Sequence, residues 1–318
     1  MLSGNVNARC PRGGRARRAR PDRQLDSPDD APTVGVAVAV QRACRALRAD
    51  KPSDADASEA RRCLRGQALR ASLNAKGCEV VQKLIRHAHT RDQADLLEEL
   101  GGSVGQNFVS LLLESPHGNH VLQTMIEVMA PSSLDKVIQG IRQWGPVSSL
   151  ARHPYGCRVL CRVLEHFRFD VIADMVDSLR QTAQTLVQDK YARFVLMAVM
   201  EHGGADEKTM VISVVLEELE RAEAAGGCAH ENVYWGARQG LVYAEPALQH
   251  RLVEVLVRSR EWLIRVQRGA ALALAWDVLT VASTNGVSAL IAEEMASFHD
   301  EVMLVWRRGR QKRRGNAR

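Results

Sequence analysis

Four stretches of this chain can be laid over one another, and the repetition limits the possible folds more than any other feature. They are "NAKGCEVVQKLIRH" from Asn74, "SPHGNHVLQTMIEV" from Ser115, "HPYGCRVLCRVLEH" from His153 and "DKYARFVLMAVMEH" from Asp189. With Gly77, Gly118, Gly156 and Ala192 as reference points, they recur at intervals of 41, 38 and 36 residues. That is the period of a helical solenoid.

The agreement is positional, not merely compositional. Three residues before each reference stand Asn74, Ser115, His153 and Asp189, three of them good N-cap types, and Pro116 and Pro154 follow in first-turn positions where a missing N–H costs nothing. Val80, Val121, Val159 and Val195 lie three residues after the reference, with Val81, Leu122, Leu160 and Leu196 next. Leu84 and Ile85, Met125 and Ile126, Val163 and Leu164, and Val199 and Met200 come one turn later. Apolar residues at this spacing make one buried stripe on a helix. The intervening segments, such as "LDKVIQGIRQWGPVSSL", have helical periodicity too. With aromatics at only 4% and abundant helix formers, an all-α chain is expected.

The domain organisation follows from charge and periodicity. Basic tails at 1–33 and 306–318 are expected to be disordered, and the repeat domain is expected to span 34–305. Clear repeats fill about 60–203, and degenerate repeats or capping helices fill 204–305. A short helix near 36–49 caps the stack, followed by a polar loop at "DKPSDADAS". Measured from Gly269, a decayed repeat would carry Ala270, Ala271 and Leu274, which offer no side-chain hydrogen bond to a ligand. Residues 203–305 hold 8 Lys or Arg against 15 Asp or Glu, so polyanion binding is expected of the first half, and either a structural role or a protein-binding surface of the acidic second half. No apolar run reaches the roughly 18 residues of a membrane span. Seven cysteines without a CxxC pair fit reduced thiols in an intracellular protein.

What remains is a polar flank. Positions one, two and five after the reference share one side of each helix. They hold Cys78, Glu79 and Gln82; Asn119, His120 and Gln123; Cys157, Arg158 and Cys161; and Arg193, Phe194 and Met197. In a stack these flanks form a row. Amides such as Asn119 and Gln123 suit a base edge, and planar groups such as His120 or Arg158 suit base stacking. A solvated surface would explain any one such flank, but four in register point to a shared repeat. A metal site at His153, Cys157 and Cys161 lacks a fourth ligand and spans two turns, so no metal and no cofactor is expected. Catalysis has no support: P-loop, HExxH and GxSxG patterns are all missing.

"SPHGNHVLQTMI" and "HPYGCRVLCRVLEH" resemble the second-helix signature of the Pumilio (PUF) RNA-binding repeat family. The resemblance implies a curved α-solenoid, or superhelix, of stacked PUF-like repeats. Four repeats are recognisable where the family usually has eight. It implies that the first and fifth positions hydrogen-bond a base, that the second stacks, and that RNA runs antiparallel to the chain. Asn119 with Gln123 then resembles a uracil reader, with His120 stacking. Cys157 with Arg158 resembles an adenine reader weakened by Cys161, and Cys78 with Gln82 another, with Glu79 a poor stacker. Arg193 and Met197 match no usual reader, leaving Phe194 to stack. The implied element is 5′-A-U-A-3′ in single-stranded messenger RNA, bound by a cytoplasmic, monomeric, non-enzymatic regulator of stability or translation. The basic C-terminal run would instead suit nuclear or nucleolar import. The alternative is a degenerate helical scaffold that binds protein partners or structured ribosomal RNA without base readout.

Overall fold

A computed structural model describes residues 34–102, 107–266, 268–285 and 292–315. The described residues form helices without strands. In chain order these are α1 (Val34–Ala46) and α2 (Asp54–Leu64); α3 (Ala68–Ser72), α4 (Ala75–His87) and α5 (Thr90–Gly101); and α6 (Phe108–Glu114), α7 (Gly118–Val128) and α8 (Asp135–Trp144). They continue with α9 (Val147–Arg152), α10 (Gly156–His166) and α11 (Ala173–Leu186), then α12 (Ala192–His202) and α13 (Ala205–Ala224). Last come α14 (Glu231–Tyr243), α15 (Pro246–Arg258), α16 (Trp262–Arg265), α17 (Arg268–Asn285) and α18 (Ala292–Gly315).

These helices make two rows of a curved α-solenoid. In the inner row α1 packs on α4, α4 on α7, α7 on α10, α10 on α12, α12 on α14 and α14 on α17. The outer row includes α2 against α5, α11 against α13, α13 against α15 and α15 against α18. A single apolar core runs between the rows from Val36 to Val302. All sixteen repeated apolar positions are in it, none more than 8% exposed.

Four inner helices, α4, α7, α10 and α12, are started the same way. Oδ1 of Asn74, Oγ of Ser115, Nδ1 of His153 and Oδ1 of Asp189 each accept two backbone N–H groups, those two and three residues ahead. The turn they close brings the reference residue against the short helix before it. A Cβ on Gly77 would stand 2.3 Å from the Ala71 carbonyl oxygen, one on Gly118 2.8 Å from Leu112 Cα, and one on Gly156 2.9 Å from the Leu150 carbonyl oxygen. Glycine is required there by backbone proximity, not by its dihedral freedom.

The structure differs from the sequence reading in three places. The polar stretch after α1 begins a helix, because Ser53 and Asp56 form a capping box at the start of α2. The C-terminal basic run is not a disordered tail over its first ten residues: α18 continues through Gly315. Arg, Lys and Gln are good helix formers and simply extend the helix that Phe298 and Val302 anchor in the core. The repeat in α17 is also displaced by two residues. Its buried positions are Ala271, Leu274, Ala275, Val278 and Ala282, which put the reference at Ala271, whereas a reference at Gly269 would turn the fully buried Ala271 into the groove. The expected N-terminal tail, 1–33, lies outside the described residues.

The contact at the reference glycines makes a prediction. Alanine has the better helix propensity, yet Gly118→Ala should lower stability by about 1–3 kcal/mol through overpacking on Leu112. Ser115→Ala should cost about 1 kcal/mol through the lost cap. Urea unfolding of both variants measures this, and a neutral Gly118→Ala would refute the close-approach argument.

Candidate nucleic-acid interface

The flank of each inner helix that the sequence singles out does form one row, but its members sit at different depths. Cys78, Asn119 and Cys157, at the first position, are 5%, 2% and 0% exposed, and Cys161 at the fifth is 2% exposed. Glu79 and His120, at the second position, are exposed, while Arg158 and Phe194 are half-buried. The row therefore has a floor of first-position residues and a rim of second-position ones.

The floor is internally satisfied. Asn119 Nδ2 donates to the Ser115 carbonyl at 2.8 Å, and Gln123 Nε2 donates to Asn119 Oδ1 at 2.9 Å. This fixes the amide pair and leaves the second N–H and the carbonyl oxygen of half-buried Gln123 available to a ligand. Cys78 Sγ donates to the Ala75 carbonyl, Cys157 Sγ to that of Pro154, and Cys161 Sγ to that of Phe194 across to the next repeat. Burial, then the charge of Glu79, pushes the Cys78 thiol pKa up, so it stays neutral. The cysteines expected to read adenine thus lie below the surface. Gln82 Oε1 accepts from Thr124 Oγ1 at 3.3 Å, tying α4 to α7.

The rim is a stacking series. The Arg158 guanidinium lies 4.8 Å from the Phe194 ring centroid, and that of Arg193 lies 4.6 Å from Phe194. Met197, at the fifth position of α12, is half-buried. The series continues into a repeat that the sequence reading missed. His230 Nδ1 accepts the Asn232 N–H at the start of α14, the place held by Asn74, Ser115, His153 and Asp189 in the other repeats. Val233 is then the reference, and Tyr234, Trp235 and Arg238 take the first, second and fifth positions. The burial of Val233, Gly236, Ala237, Gly240 and Leu241 confirms that register. Tyr234 turns inward, its hydroxyl accepting from the Ala229 N–H and its ring 5.8 Å from Trp262. Trp235 stands half-buried on the rim, 5.2 Å from Arg193. Arg238 pairs with Asp277 of α17 at 2.5 Å, and Gln82 bonds Thr124 between the corresponding positions of α4 and α7 once α17 is counted from Ala271. The signal was there in His230 and the Tyr-Trp-x-x-Arg spacing. It was masked because the core positions hold Gly236, Ala237 and Gly240 where the other repeats hold Val, Leu, Ile or Met.

Below the rim, Arg162 pairs with both Glu127 and Glu165, so this turn of the inner helices is a zipped ionic edge rather than an open basic one. His153 spends Nδ1 on its cap, and no group of three or more metal-ligating side chains stands together among the described residues.

Comparison with known proteins identifies this architecture. A family model described as a NOP9-like PUF repeat domain matches residues 57–232. The chain belongs to the NOP9-like PUF repeat family. It is 30% identical over 140 residues to a putative pumilio homolog 10 of Arabidopsis thaliana, covering 42% of this chain and 24% of that protein. It is 26% identical over 136 residues to the putative chloroplastic pumilio homolog 8 of the same plant, covering 43% and 25%. The chain spans about a quarter of the length of these curated relatives. Among solved structures, PUF-8 in complex with PBE-RNA superposes with a TM-score of 0.61 at 16% identity, over 80% of this chain and 71% of that one. The Puf4 RNA-binding domain bound to an HO endonuclease RNA site gives 0.61 at 15% identity, over 84% and 81%. These likenesses establish the PUF fold; the repeat family is one of RNA-binding proteins.

His120 supplies a testable consequence of the rim. Its ring is exposed yet crowded by neighbouring atoms, and this loss of water, with the positive neighbours His117 and Arg158, holds its pKa below the ordinary value. A depressed folded-state pKa favours neutral imidazole, so its contribution is present above the unfolded value of about 6.5 and is lost as the pH falls. Between pH 7 and pH 5 the wild type should therefore lose more stability than His120→Gln. Urea unfolding at the two pH values measures the difference, and equal losses would contradict it.

Proposed function

We propose that this PUF-repeat protein binds single-stranded RNA by stacking bases along the rim and reads one base, a uracil, with Asn119, Gln123 and His120. The observation that carries the reading is the row of second-position residues His120, Arg158, Phe194 and Trp235, supplied by four consecutive inner helices and containing a single amide pair at its floor. Planar side chains stack on any base, so such a row gives affinity with little sequence preference. Buried Cys78, Cys157 and Cys161 weigh against reading the full 5′-A-U-A-3′ element and favour one specified position with tolerant neighbours.

Two biological settings fit this chemistry. One is control of messenger RNAs carrying an A/U-containing element. The other, favoured by the NOP9-like character of the family and its involvement in ribosome biogenesis, is binding of ribosomal RNA with little base readout. The acidic second half would then serve protein partners.

Selection from random RNA with the full chain separates them. A messenger-element reader enriches a motif with uracil at one position. Asn119→Ala combined with Gln123→Ala should abolish that preference at a cost of roughly 1–3 kcal/mol, by analogy with bidentate base readout in DNA, while leaving salt-sensitive binding in place. Binding without enrichment at any position would sink base readout and leave the scaffold reading.

A further inference from the structure

The interval between Phe194 and Trp235 is already filled by the chain itself. Arg193 holds the first position of its repeat, where Cys78, Asn119 and Cys157 turn into the floor. Its guanidinium lies instead between the two rim rings, 4.6 Å from the Phe194 centroid and 5.2 Å from that of Trp235. Its Nε is buried without a hydrogen-bond partner. An N–H withdrawn from water in this way needs compensation, and here the ring faces supply it. With Arg158 on Phe194 as well, cation and ring alternate along the rim: Arg158, Phe194, Arg193, Trp235.

A guanidinium is planar, delocalised and about as thick as a nucleobase, and it stacks on aromatic faces as a base does. We infer that Arg193 is a resident substitute for a base: it occupies the slot between Phe194 and Trp235, ends the strand-binding track at Phe194, and thereby sets how many nucleotides the groove accepts. The inference rests on the single-strand reading above and adds its length limit. Upstream, His120 is exposed, and Arg158, which also meets Phe194, is itself a second-position rim residue, whereas Arg193 is a first-position group laid against two rim rings.

The test measures affinity of the full chain for oligouridylates lengthened one nucleotide at a time. Wild-type affinity should rise with length and then level off. Arg193→Ala removes the plug, and Arg193→Lys keeps the charge but not the stacking plane, so a general loss of positive potential is controlled for. Both variants should level off one nucleotide later than the wild type, with a gain at that step of roughly 5- to 150-fold, the range expected for one stacked base. Thermal melting checks folding, and if the alanine variant is unstable the lysine variant decides. A wild-type plateau in the variants, or weaker binding at every length, would show Arg193 to be an ordinary groove residue or an RNA ligand and overturn the inference. Absence of wild-type affinity for every oligomer would instead remove the single-strand reading itself, and the length limit with it.

Discussion

The close approach of the inner helices α4, α7 and α10 to the short helix before each is the constraint on which the rest depends. At Gly77, Gly118 and Gly156 the backbones meet at distances that exclude a Cβ, and the polar cap three residues earlier holds the turn that makes the approach possible. Cap and glycine together fix both where an inner helix starts and how it is rotated. Rotation decides which residues face the neighbouring repeat and which face the groove. A groove of aligned first, second and fifth positions therefore exists because the helix starts are in register, not because groove residues attract one another.

The lock loosens towards the C-terminus, and the groove changes with it. Ala192 replaces glycine in α12, and Val233 replaces it in α14, where the long helix α13 and the segment after it stand in for the short preceding helix. The cap changes from groups that take two backbone N–H groups to His230, which takes one. Along the same stretch, first-position side chains grow from Cys and Asn to Arg193 and Tyr234, and these longer groups reach the rim or the core of the next repeat. The sequence changes at the helix starts and those in the groove are one structural trend.

This explains what could be read from the sequence and what could not. The sixteen apolar positions and three of the four caps, Asn74, Ser115 and Asp189, were legible because each obeys a local rule of periodicity or N-terminal chemistry, whereas His153 is a cap only by its position in the repeat. The repeat at Val233 was not, since its core positions are Gly236, Ala237 and Gly240, small residues that Val215 and Leu252 of adjoining helices pack against. In α17, apolar residues on nearly every side left the rotation undetermined, and only burial and the Arg238–Asp277 pair fixed it. Depth within the groove was equally invisible. Cys157 and Arg158 are neighbours in sequence, yet one has no exposed surface and the other lies on a ring of the next repeat. Which side chains face a ligand depends on contacts between repeats about 40 residues apart, which no single helix encodes.

The same depth profile governs how specificity can be distributed. Discrimination between bases requires directional polar groups left unpaired until the ligand arrives, and here the floor pairs nearly all of its own. Gln123 retains free valences after bonding Asn119, whereas the buried thiols donate to carbonyls and Arg238 is engaged by Asp277. Stacking needs only a flat exposed face, which the rim offers in several repeats. A groove built in this way separates two tasks that a fully elaborated PUF repeat would combine at every position. On the proposed reading, affinity is spread along the rim and base choice is concentrated in α7, so divergence in the other repeats would cost little binding as long as each keeps one planar side chain at its second position.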